Sequence, residues 1–270
     1  MTLPLVPRLP AHAVPTIHQF LRAHALADGA QGVVIGLSGG IDSALVARLA
    51  RDALGPERVL GVLLPDGAFP PALLEETEAY GRALGIELRV VPVDPFVRAF
   101  SSALPEVHDR VALGNAVARF RMVLWYTLAR ETHRLVAGTG NKSEILLGYF
   151  TKYGDGGVDL LPIGDLFKTE VRALAADLGL PEAVRARAPS AGLWEGQTDE
   201  EELGITYDDA DRILRGLEQL LDPEEIVAAT GFPAERVQLV IDRVDRNRHK
   251  RRPPPIPKVG LRTVGLDWRD

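Results

Sequence analysis

The stretch that decides the fold is Gly36-Leu37-Ser38-Gly39-Gly40-Ile41-Asp42-Ser43. An apolar run, Val33-Val34-Ile35, precedes it, and a helical pattern, Ala44 to Ala50, follows it. Paired glycines let a backbone turn tightly and approach an anion closely. The helix start that follows offers unpaired N–H groups and the positive end of a helix dipole. The stretch therefore predicts a phosphate site between a strand and a helix.

Two hydroxyls and one carboxylate belong to this stretch. Ser38 and Ser43 can donate hydrogen bonds, and Asp42 suits a hard cation such as Mg²⁺. The Walker pattern is absent because no lysine precedes Ser43. These groups indicate the pyrophosphate end of a nucleotide, neutralised in part by metal. The alternative is an ordinary strand-to-helix turn in which serine and aspartate cap the helix.

The pattern SGGxDS between a strand and a helix resembles the pyrophosphate-binding loop of the N-type ATP pyrophosphatases. These enzymes cleave ATP to AMP and pyrophosphate, and they include GMP, asparagine, argininosuccinate and NAD synthetases and tRNA thiolation enzymes. The resemblance implies an adenine nucleotide alpha-hydrolase-like fold and adenylation of a substrate. It leaves the identity of that substrate open.

Length and composition are those of one globular domain. The chain has 270 residues, 46% of them hydrophobic and 25% charged, with a net charge of −6. We predict a single domain over 1–270, with an irregular N-terminus at 1–15 and a C-terminal tail at 253–270. The acidic balance argues against nucleic acid or a membrane surface as partner. No apolar run reaches the ~20 residues of a membrane helix, and no signal-peptide pattern is visible, so we expect a cytoplasmic location.

Cysteine is absent from the sequence. Its absence removes disulfides, thiolate zinc sites and cysteine nucleophiles. A glutaminase that works through a cysteine therefore cannot lie in this chain, and the sulfur relay of tRNA thiolation is disfavoured.

Strand and helix patterns alternate through the first half of the chain. Apolar runs predict three strands, at 32–37, 59–64 and 88–93. Helical patterns predict three helices, at 16–28, 44–54 and 72–84. This alternation predicts an α/β fold, a Rossmann-like, doubly wound parallel sheet flanked by helices. Ligands of such sheets lie beyond the carboxyl ends of the strands, where residues 38–43 would be.

A second glycine turn, Gly138-Thr139-Gly140-Asn141-Lys142-Ser143-Glu144, follows another short apolar run. It would lie at the same edge of the sheet and could face the first loop. Glu144 and Asp42 would then form a carboxylate pair for Mg²⁺. The alternative is local: Asn141 or Ser143 caps a helix, and the glutamate is a capping-box acid.

A long helical pattern at 109–130 carries Arg119 and Arg121. Residues two apart cannot share a helix face, so one arginine can face a ligand while the other serves structure. The alternative is two solvated arginines on a surface helix.

Residues 149–162 (YFTKYGDGGVDLLP) combine aromatic, lysine, aspartate and glycine residues in one irregular stretch. Loops with this chemistry commonly bind a ligand. The alternative is a long surface turn satisfied by its aspartates.

Taken together, the ordered motifs of the chain closely resemble the NH₃-dependent NAD⁺ synthetases, which amidate nicotinic acid adenine dinucleotide (deamido-NAD). The motifs that carry this resemblance are GTGNKSE (138–144), GYFTKYGDGG (148–157), DLLPIGDLFKTEV (159–171), PSAGLWEGQTDE (189–200) and RHKR (248–251). With the first loop, they extend from Gly36 to Arg252.

The resemblance implies roles for particular residues. It implies ATP binding by Gly36, Leu37, Ser38, Gly39, Gly40, Ile41, Asp42, Ser43, Thr139, Lys168 and Ser190. It implies deamido-NAD binding by Arg119, Lys152, Asp159, His249 and Lys250. It implies Mg²⁺ binding by Asp42 and Glu144, and catalytic roles for Asp42, Lys168 and Ser38. For Lys168 the alternative is simply a lysine at a helix start.

The implied reaction has two steps: the pyridine carboxylate attacks the α-phosphorus of ATP, and ammonia then displaces AMP from the acyl adenylate. A homodimer is expected from the resemblance, and a separate glutaminase could supply the ammonia. The rivals are adenylation of another acceptor, such as a tRNA base or a purine nucleotide, and a non-catalytic nucleotide-binding regulator.

The last third of the chain is predicted to begin with a loop at 181–205, whose acidic run at 200–202 is a solvated face. A connection of this length is commonly a lid, and we hypothesise that it orders over ATP. Helical patterns follow at 206–220 and 233–248, and the basic cluster at 246–252 suits a substrate that carries phosphates.

Overall fold

The computed structural model describes residues 5–190, 192 and 196–267. Its centre is a four-stranded parallel sheet with the strand order β3-β2-β1-β4. The strands are β1 (Val33–Gly36), β2 (Val59–Leu63), β3 (Glu87–Val90) and β4 (Leu135–Ala137). An isolated parallel bridge between Ala137 and Leu160 extends the sheet beyond β4. The fold class expected from the sequence is confirmed.

Helices connect and cover these strands. The described α-helices are α1 (Ala13–His24), α2 (Ile41–Leu54), α3 (Pro71–Leu84), α4 (Asp94–Ala103), α5 (Arg110–Glu131), α6 (Lys142–Leu147), α7 (Lys168–Asp177), α8 (Glu182–Arg185), α9 (Asp199–Leu203), α10 (Tyr207–Glu218), α11 (Pro223–Thr230) and α12 (Ala234–Arg246). Within the described residues, no helix is long and apolar enough to cross a membrane.

The sheet is covered on both faces, because alternate side chains of each strand point to opposite sides. Val33 and Ile35 pack with α1, α2 and α7 on one face, whereas Val34 packs with α5 on the other. Strands β1 and β2 are apolar throughout because helices cover both of their faces. Strand β3 lies at the edge of the sheet and is largely exposed.

A second apolar core lies beyond the sheet and is built mainly from helices. Residues of α6, α9, α10, α11 and α12 form most of it, and Phe167, directly before α7, and Ile205, between α9 and α10, complete it. Tyr207 and Phe167 are among its largest fully buried side chains. Helix α11 is well defined by its sequence: Pro223 occupies the first turn, and Asp222 and Glu225 form a capping box. This core holds the N-terminal ends of α6 and α7 in place beside the sheet.

Three expectations need correction. The first helix begins at Ala13, inside the segment expected to be irregular, and ends at His24. Helix α4 was not expected, although Asp94 and Pro95 form a regular helix start. The segment 181–205, expected to be a loop, contains α8 and α9; residues 191 and 193–195 lie outside the described residues, as do 1–4 and 268–270 of the expected termini.

Candidate active site

The loop between β1 and α2 is held by its own serines. The Ser43 hydroxyl accepts a hydrogen bond from the Ser38 N–H at 3.2 Å and donates one to the Gly40 carbonyl at 3.0 Å. The Ser38 hydroxyl lies 3.2 Å from the Ser43 hydroxyl and 3.3 Å from the Gly40 nitrogen. The two serines therefore brace the turn from inside, and we call residues 36–43 the phosphate loop.

Close packing explains two glycines of the phosphate loop. A Cβ at Gly36 would lie 2.4 Å from the Trp125 ring, and a Cβ at Gly39 would lie 2.5 Å from Leu73. Gly39 also has a φ of +77°, which favours glycine. Helices α3 and α5 thus support the loop from outside, and a side chain at either glycine would displace it.

A buried lysine joins the phosphate loop to the second glycine turn. The Lys168 ammonium donates to Asp42 Oδ2 at 2.5 Å and to Glu144 Oε1 at 3.2 Å, and its side chain is only 2% exposed. The Asn141 amide donates to Asp42 Oδ1 at 2.9 Å. We call these four residues the Lys168 cluster.

The Lys168 cluster lies where three helices begin. Asp42, Glu144 and Lys168 belong to the first turns of α2, α6 and α7, respectively. The N-terminal ends of helices carry partial positive charge and unpaired N–H groups. Their convergence makes this edge of the sheet suited to a polyanion, and the carboxylates suit the cation that accompanies it.

The structure confirms the local interpretation of Glu144, a capping-box acid, while its role in binding Mg²⁺ stays a prediction. Its Oε2 atom accepts from the Asn141 N–H at 3.2 Å, and its own N–H donates to Asn141 Oδ1 at 3.0 Å, which is a capping box. Its Oε1 atom meanwhile contacts Lys168. Capping therefore orients the carboxylate toward Asp42. The alternative for Lys168, a lysine at a helix start, likewise holds together with its place in the cluster.

Burial and charge shift the pKa values in the Lys168 cluster. Burial works to lower the pKa of Lys168, but the Asp42 and Glu144 carboxylates outweigh it, so the pKa lies above its ordinary value. Burial raises the pKa of Glu144. The Lys168 ammonium opposes this rise, and the negative charge of Asp42 adds to it. The lysine therefore remains a cation at neutral pH.

The donor set fits a Mg²⁺ ion that arrives with phosphate. Among the described residues, no three His, Cys, Asp or Glu side chains come together as a metal site. Two carboxylates from different elements do converge on one cation, the Lys168 ammonium. Mg²⁺ in nucleotide sites needs only one or two carboxylates, because substrate phosphates and water complete its shell. Asp42 and Glu144 meet that requirement.

Asp211, which the sequence did not single out, supports the cluster from behind. This buried carboxylate accepts from the Thr169 N–H at 2.9 Å, from the Thr169 hydroxyl at 2.8 Å and from the Ser143 hydroxyl. The Ser143 hydroxyl also accepts from the Lys168 N–H at 2.9 Å. One side chain of α10 thus fixes the starts of α6 and α7 relative to each other.

A second group of cations lies where the 148–157 loop meets the chain after α12. The Lys250 ammonium donates to the carbonyls of Gly148 and Phe150 at 2.6 and 2.9 Å. The Lys152 ammonium donates to the carbonyls of His249 and Arg252 at 2.6 and 3.3 Å. Lys152 and Lys250, which we call the lysine pair, thus donate to backbone carbonyls rather than to carboxylates. Burial lowers the pKa of Lys250, and the Asp155 carboxylate only partly opposes this.

The remaining residues considered for binding deamido-NAD differ in their surroundings. Asp159 accepts from the Val136 N–H at 2.8 Å and from the Tyr126 hydroxyl at 3.0 Å, which fastens the loop to β4. Arg119 is exposed on α5. Arg121 instead forms an ion pair with Asp66 at 2.9 Å, so it is the structural member of the arginine pair.

Three further candidates, Thr139, Ser190 and His249, lie at or near the surface. Thr139 is partly buried directly after β4, and His249 is exposed, with its Nδ1 atom 3.2 Å from the Arg246 carbonyl. Ser190 is exposed, and its hydroxyl accepts from the Gly192 N–H at 3.1 Å. Much of the motif around Ser190, including Trp194, lies outside the described residues.

Sequence reasoning missed several contacts of the site. It considered Asn141 as a helix cap and not as a partner of Asp42. It left Asp199 without a role, although this buried residue accepts from the Tyr207 hydroxyl at 3.1 Å. The capping box was a usable signal for Asn141, whereas the partners of Asp199 and Asp211 depend on packing that no local pattern encodes.

Comparisons with known proteins identify the family. The family model described as NAD synthase matches residues 13–254. The NH(3)-dependent NAD(+) synthetases of Methanosarcina mazei and Archaeoglobus fulgidus are 50% and 46% identical over 246 and 247 residues, which cover 90% and 91% of this chain and 96% of each relative.

Two solved structures have the same fold. An NMN synthetase from Francisella tularensis superposes with a TM-score of 0.82 at 32% identity, covering 93% of this chain and 100% of the other. An NH3-dependent NAD synthetase from Campylobacter jejuni superposes with a TM-score of 0.76 at 33% identity, covering 91% and 98%. The matches in sequence and in structure lead to one conclusion: the chain belongs to the NAD synthase family.

Proposed function

We propose that this chain converts deamido-NAD, ATP and ammonia to NAD⁺, AMP and pyrophosphate, the last step of NAD⁺ biosynthesis. The observation that carries the proposal is the junction of the phosphate loop with the Lys168 cluster, in a chain that shares about half of its residues with NH(3)-dependent NAD(+) synthetases. The chain is accordingly an amide-forming ligase that uses ATP as a substrate.

In the first step, a carboxylate oxygen of the pyridine ring attacks the α-phosphorus of ATP. The bond to pyrophosphate breaks, and an acyl adenylate forms. N–H groups of the phosphate loop and the Lys168 ammonium stabilise the charge that develops on the phosphate oxygens. Much of the rate comes from holding the carboxylate in line with the phosphorus. No protein nucleophile is needed.

In the second step, ammonia attacks the acyl carbon and AMP leaves with the bonding electron pair. A free carboxylate is a poor acylating agent, whereas AMP is a far better leaving group than hydroxide. Adenylation therefore makes the amide accessible under mild conditions. The ammonia comes from solution or from a separate glutaminase, since this chain has no cysteine for that chemistry.

The proposed ATP site comprises the phosphate loop together with Thr139, Lys168 and Ser190. Asp42 and Glu144 would hold Mg²⁺, which neutralises phosphate charge when it is bound. Support for this assignment comes from the two carboxylates that meet at one cation. Ser38 is the proposed hydroxyl donor of the loop, since its side chain is exposed at the turn while that of Ser43 is buried.

The proposed acceptor site contains Arg119, Lys152, Asp159, His249 and Lys250. The lysine pair supports it, because ammonium groups bonded to carbonyls keep their positive charge available for a dinucleotide pyrophosphate. Asp159 is already committed to two donors, so we propose that it acts by placing the loop.

A homodimer is part of the proposal. Helices α4 and α5 present apolar side chains to solvent: Phe96 is 41% exposed, Val111 56% and Val123 51%. Exposed apolar surface of this kind suits a protein–protein interface. Deamido-NAD would then bind near the interface, so activity should fall on dilution. The cytoplasmic location remains a prediction.

One structural match favours a second candidate acceptor. The Francisella tularensis protein is named an NMN synthetase, which raises nicotinate mononucleotide as an alternative to deamido-NAD. The reaction would be the same, but the acceptor would lack the pyrophosphate and adenosine that the lysine pair suits.

The test measures AMP and amidated product with Mg-ATP and either acceptor, supplying ammonium chloride or glutamine as the nitrogen source. We expect ammonium-dependent NAD⁺ from deamido-NAD, equal in amount to AMP. A preference for the mononucleotide would establish the second candidate. A folded protein that binds ATP but releases no AMP with either acceptor would contradict both and favour another acceptor or a regulator.

A further inference from the structure

An arginine outside the proposed sites reaches the phosphate loop. Arg187 lies shortly after α8, and its Nη1 atom donates to the Gly39 carbonyl. Its Nη2 atom donates to the Glu76 carboxylate of α3 at 2.6 Å. The guanidinium therefore bridges two elements, of which one is the turn that would face the nucleotide phosphates. Neither the motifs of the sequence nor the reaction steps above give this residue a role.

The Gly39 carbonyl is a sensitive place to hold. In a trans peptide the C=O and the following N–H point in opposite directions, and the described chain has no cis peptide bond. Reversing the Gly39–Gly40 peptide needs changes in ψ of Gly39 and φ of Gly40. Both residues are glycines, so steric hindrance restrains this rotation weakly. The orientation of the Gly40 N–H therefore depends on hydrogen bonds at both ends of this peptide: the long one from the N–H to Ser38, and the one that the Gly39 carbonyl accepts from Arg187.

The N–H on the opposite side of this peptide is available to a ligand. The Gly40 nitrogen lies 3.3 Å from the Ser38 hydroxyl, which is a long hydrogen bond. Gly40 is also the N-cap position of α2, where N–H groups have no partner within the helix. Anions bind such groups.

We propose that Arg187 is a positioning residue for ATP: by holding the Gly39 carbonyl, it aims the Gly40 N–H at the nucleotide phosphates. Because Arg187 belongs to the segment that leads to Ser190, the shape of the phosphate loop depends on where that segment lies. The inference rests on the proposed function only in taking the phosphate loop as the ATP site.

Arg185 provides a matched control. It lies two residues earlier, and its side chain is 34% exposed, against 29% for Arg187. It donates to the Leu180 carbonyl at 2.9 Å and pairs with Glu182, so its contacts stay within its own segment. The substitutions R185M and R187M remove the same charge and leave the same side-chain volume.

The experiment measures Mg-ATP binding by calorimetry and, separately, the KM values for ATP and deamido-NAD. We expect R187M to weaken Mg-ATP binding about 10-fold or more, as loss of a charge-assisted hydrogen bond implies. R187K, which keeps a donor of similar reach, should lie between R187M and the wild type. E76Q, which removes the second anchor, should weaken binding less than R187M. R185M should bind as the wild type does, and the KM for deamido-NAD should not change in any variant.

Three kinds of result would overturn the inference. The first is R187M that binds Mg-ATP like the wild type. The second is a parallel rise in both KM values, or an equal effect of R185M, which would indicate a general loss of structure. The third is a wild-type protein that binds no Mg-ATP, which would overturn the proposed function as well. A wild type that binds Mg-ATP without forming NAD⁺ would overturn only the proposed function, since the binding comparison is independent of turnover.

Discussion

The Lys168 cluster and the lysine pair differ in how their charge is balanced. Lys168 is buried between two carboxylates, whereas Lys152 and Lys250 donate to backbone carbonyls. A carbonyl satisfies an ammonium group without cancelling its charge. The lysine pair is therefore ready for an anion, while in the Lys168 cluster a cation and its counter-charges are already assembled. We infer that the ion pairs of the Lys168 cluster rearrange when Mg-ATP binds, whereas the lysine pair binds the anionic substrate without such a rearrangement.

The largest effect should follow from breaking the cluster at Asp42. Asp42→Ala removes a partner of Lys168 and a proposed Mg²⁺ ligand, and we expect activity to fall about 10³-fold or more while the protein stays folded. Turnover measures the loss of activity, and circular dichroism measures whether the protein stays folded. Asp52→Ala, on the same helix but paired with Arg48 and Arg51, is the control and should retain activity. Magnesium-dependent turnover retained by D42A would refute the role of Asp42.

The next largest effect should come from Lys168. Lys168→Met removes the charge that stabilises the phosphates and should lower kcat about 100-fold. It also leaves Asp42 and Glu144 facing each other without a cation, so Mg²⁺ alone should raise the Tm of K168M more than that of the wild type. Lys142→Met is the control, since the Lys142 ammonium pairs with Asp165 and Glu218 and not with Asp42 or Glu144.

An unchanged kcat in K168M would reduce Lys168 to a structural residue. Equal Tm shifts with Mg²⁺ in K168M and the wild type would show that the ammonium and the metal do not share a position. Either result would break the contrast between a cluster that redistributes its charges and a pair that does not.

The lysine pair should affect binding of the acceptor only. Lys250→Met should raise the KM for deamido-NAD about 10-fold and leave the KM for ATP unchanged, because a charge-assisted hydrogen bond to the acceptor is lost. Steady-state kinetics with each substrate varied in turn separates the two constants. Lys258→Met, in the tail and paired with Asp267, is the control. If the KM for ATP rose instead, the assignment of Lys250 to the deamido-NAD site would be wrong.

The smallest effect should come from the support behind the cluster. Thr169→Val removes one of the hydrogen bonds to buried Asp211, so the free energy of unfolding should fall by about 1 kcal/mol. Because the Thr169 N–H still binds Asp211, kcat should change little. Urea unfolding measures the first quantity. Thr127→Val is the control: its exposed hydroxyl donates to the Val123 carbonyl of the same helix, so the substitution should change stability less. If kcat fell markedly while the free energy of unfolding hardly changed, Asp211 would have a role in the reaction and not only in stability.

The sequence predicted those parts that rest on local patterns. Continuous apolar runs gave β1 and β2, and the glycine turn gave the phosphate loop, because period and turn chemistry are written in neighbouring residues. Helix α4 was not predicted because it is short and amphipathic and follows an exposed edge strand. The helices within 181–205 were missed because they contain only 4 and 5 residues.

Candidate residues of the site were easier to name than their partners. Asp42, Glu144 and Lys168 meet as their motifs suggested, although 126 residues separate the first from the last. The contacts of Asn141, Asp211 and Arg187 arise from how helices pack against one another, and no spacing in the sequence specifies them. The structure thus adds the groups that orient the site rather than the groups that define it.

The most direct test of this division of labour is exchange of labelled pyrophosphate into ATP without ammonia. We predict that the wild type exchanges only when deamido-NAD is present, that D42A does not exchange, and that K250M regains wild-type exchange at high deamido-NAD. This outcome would show adenylation by the Lys168 cluster and acceptor binding by the lysine pair. Exchange that needs no deamido-NAD, or a K250M defect that saturating deamido-NAD cannot restore, would contradict the account.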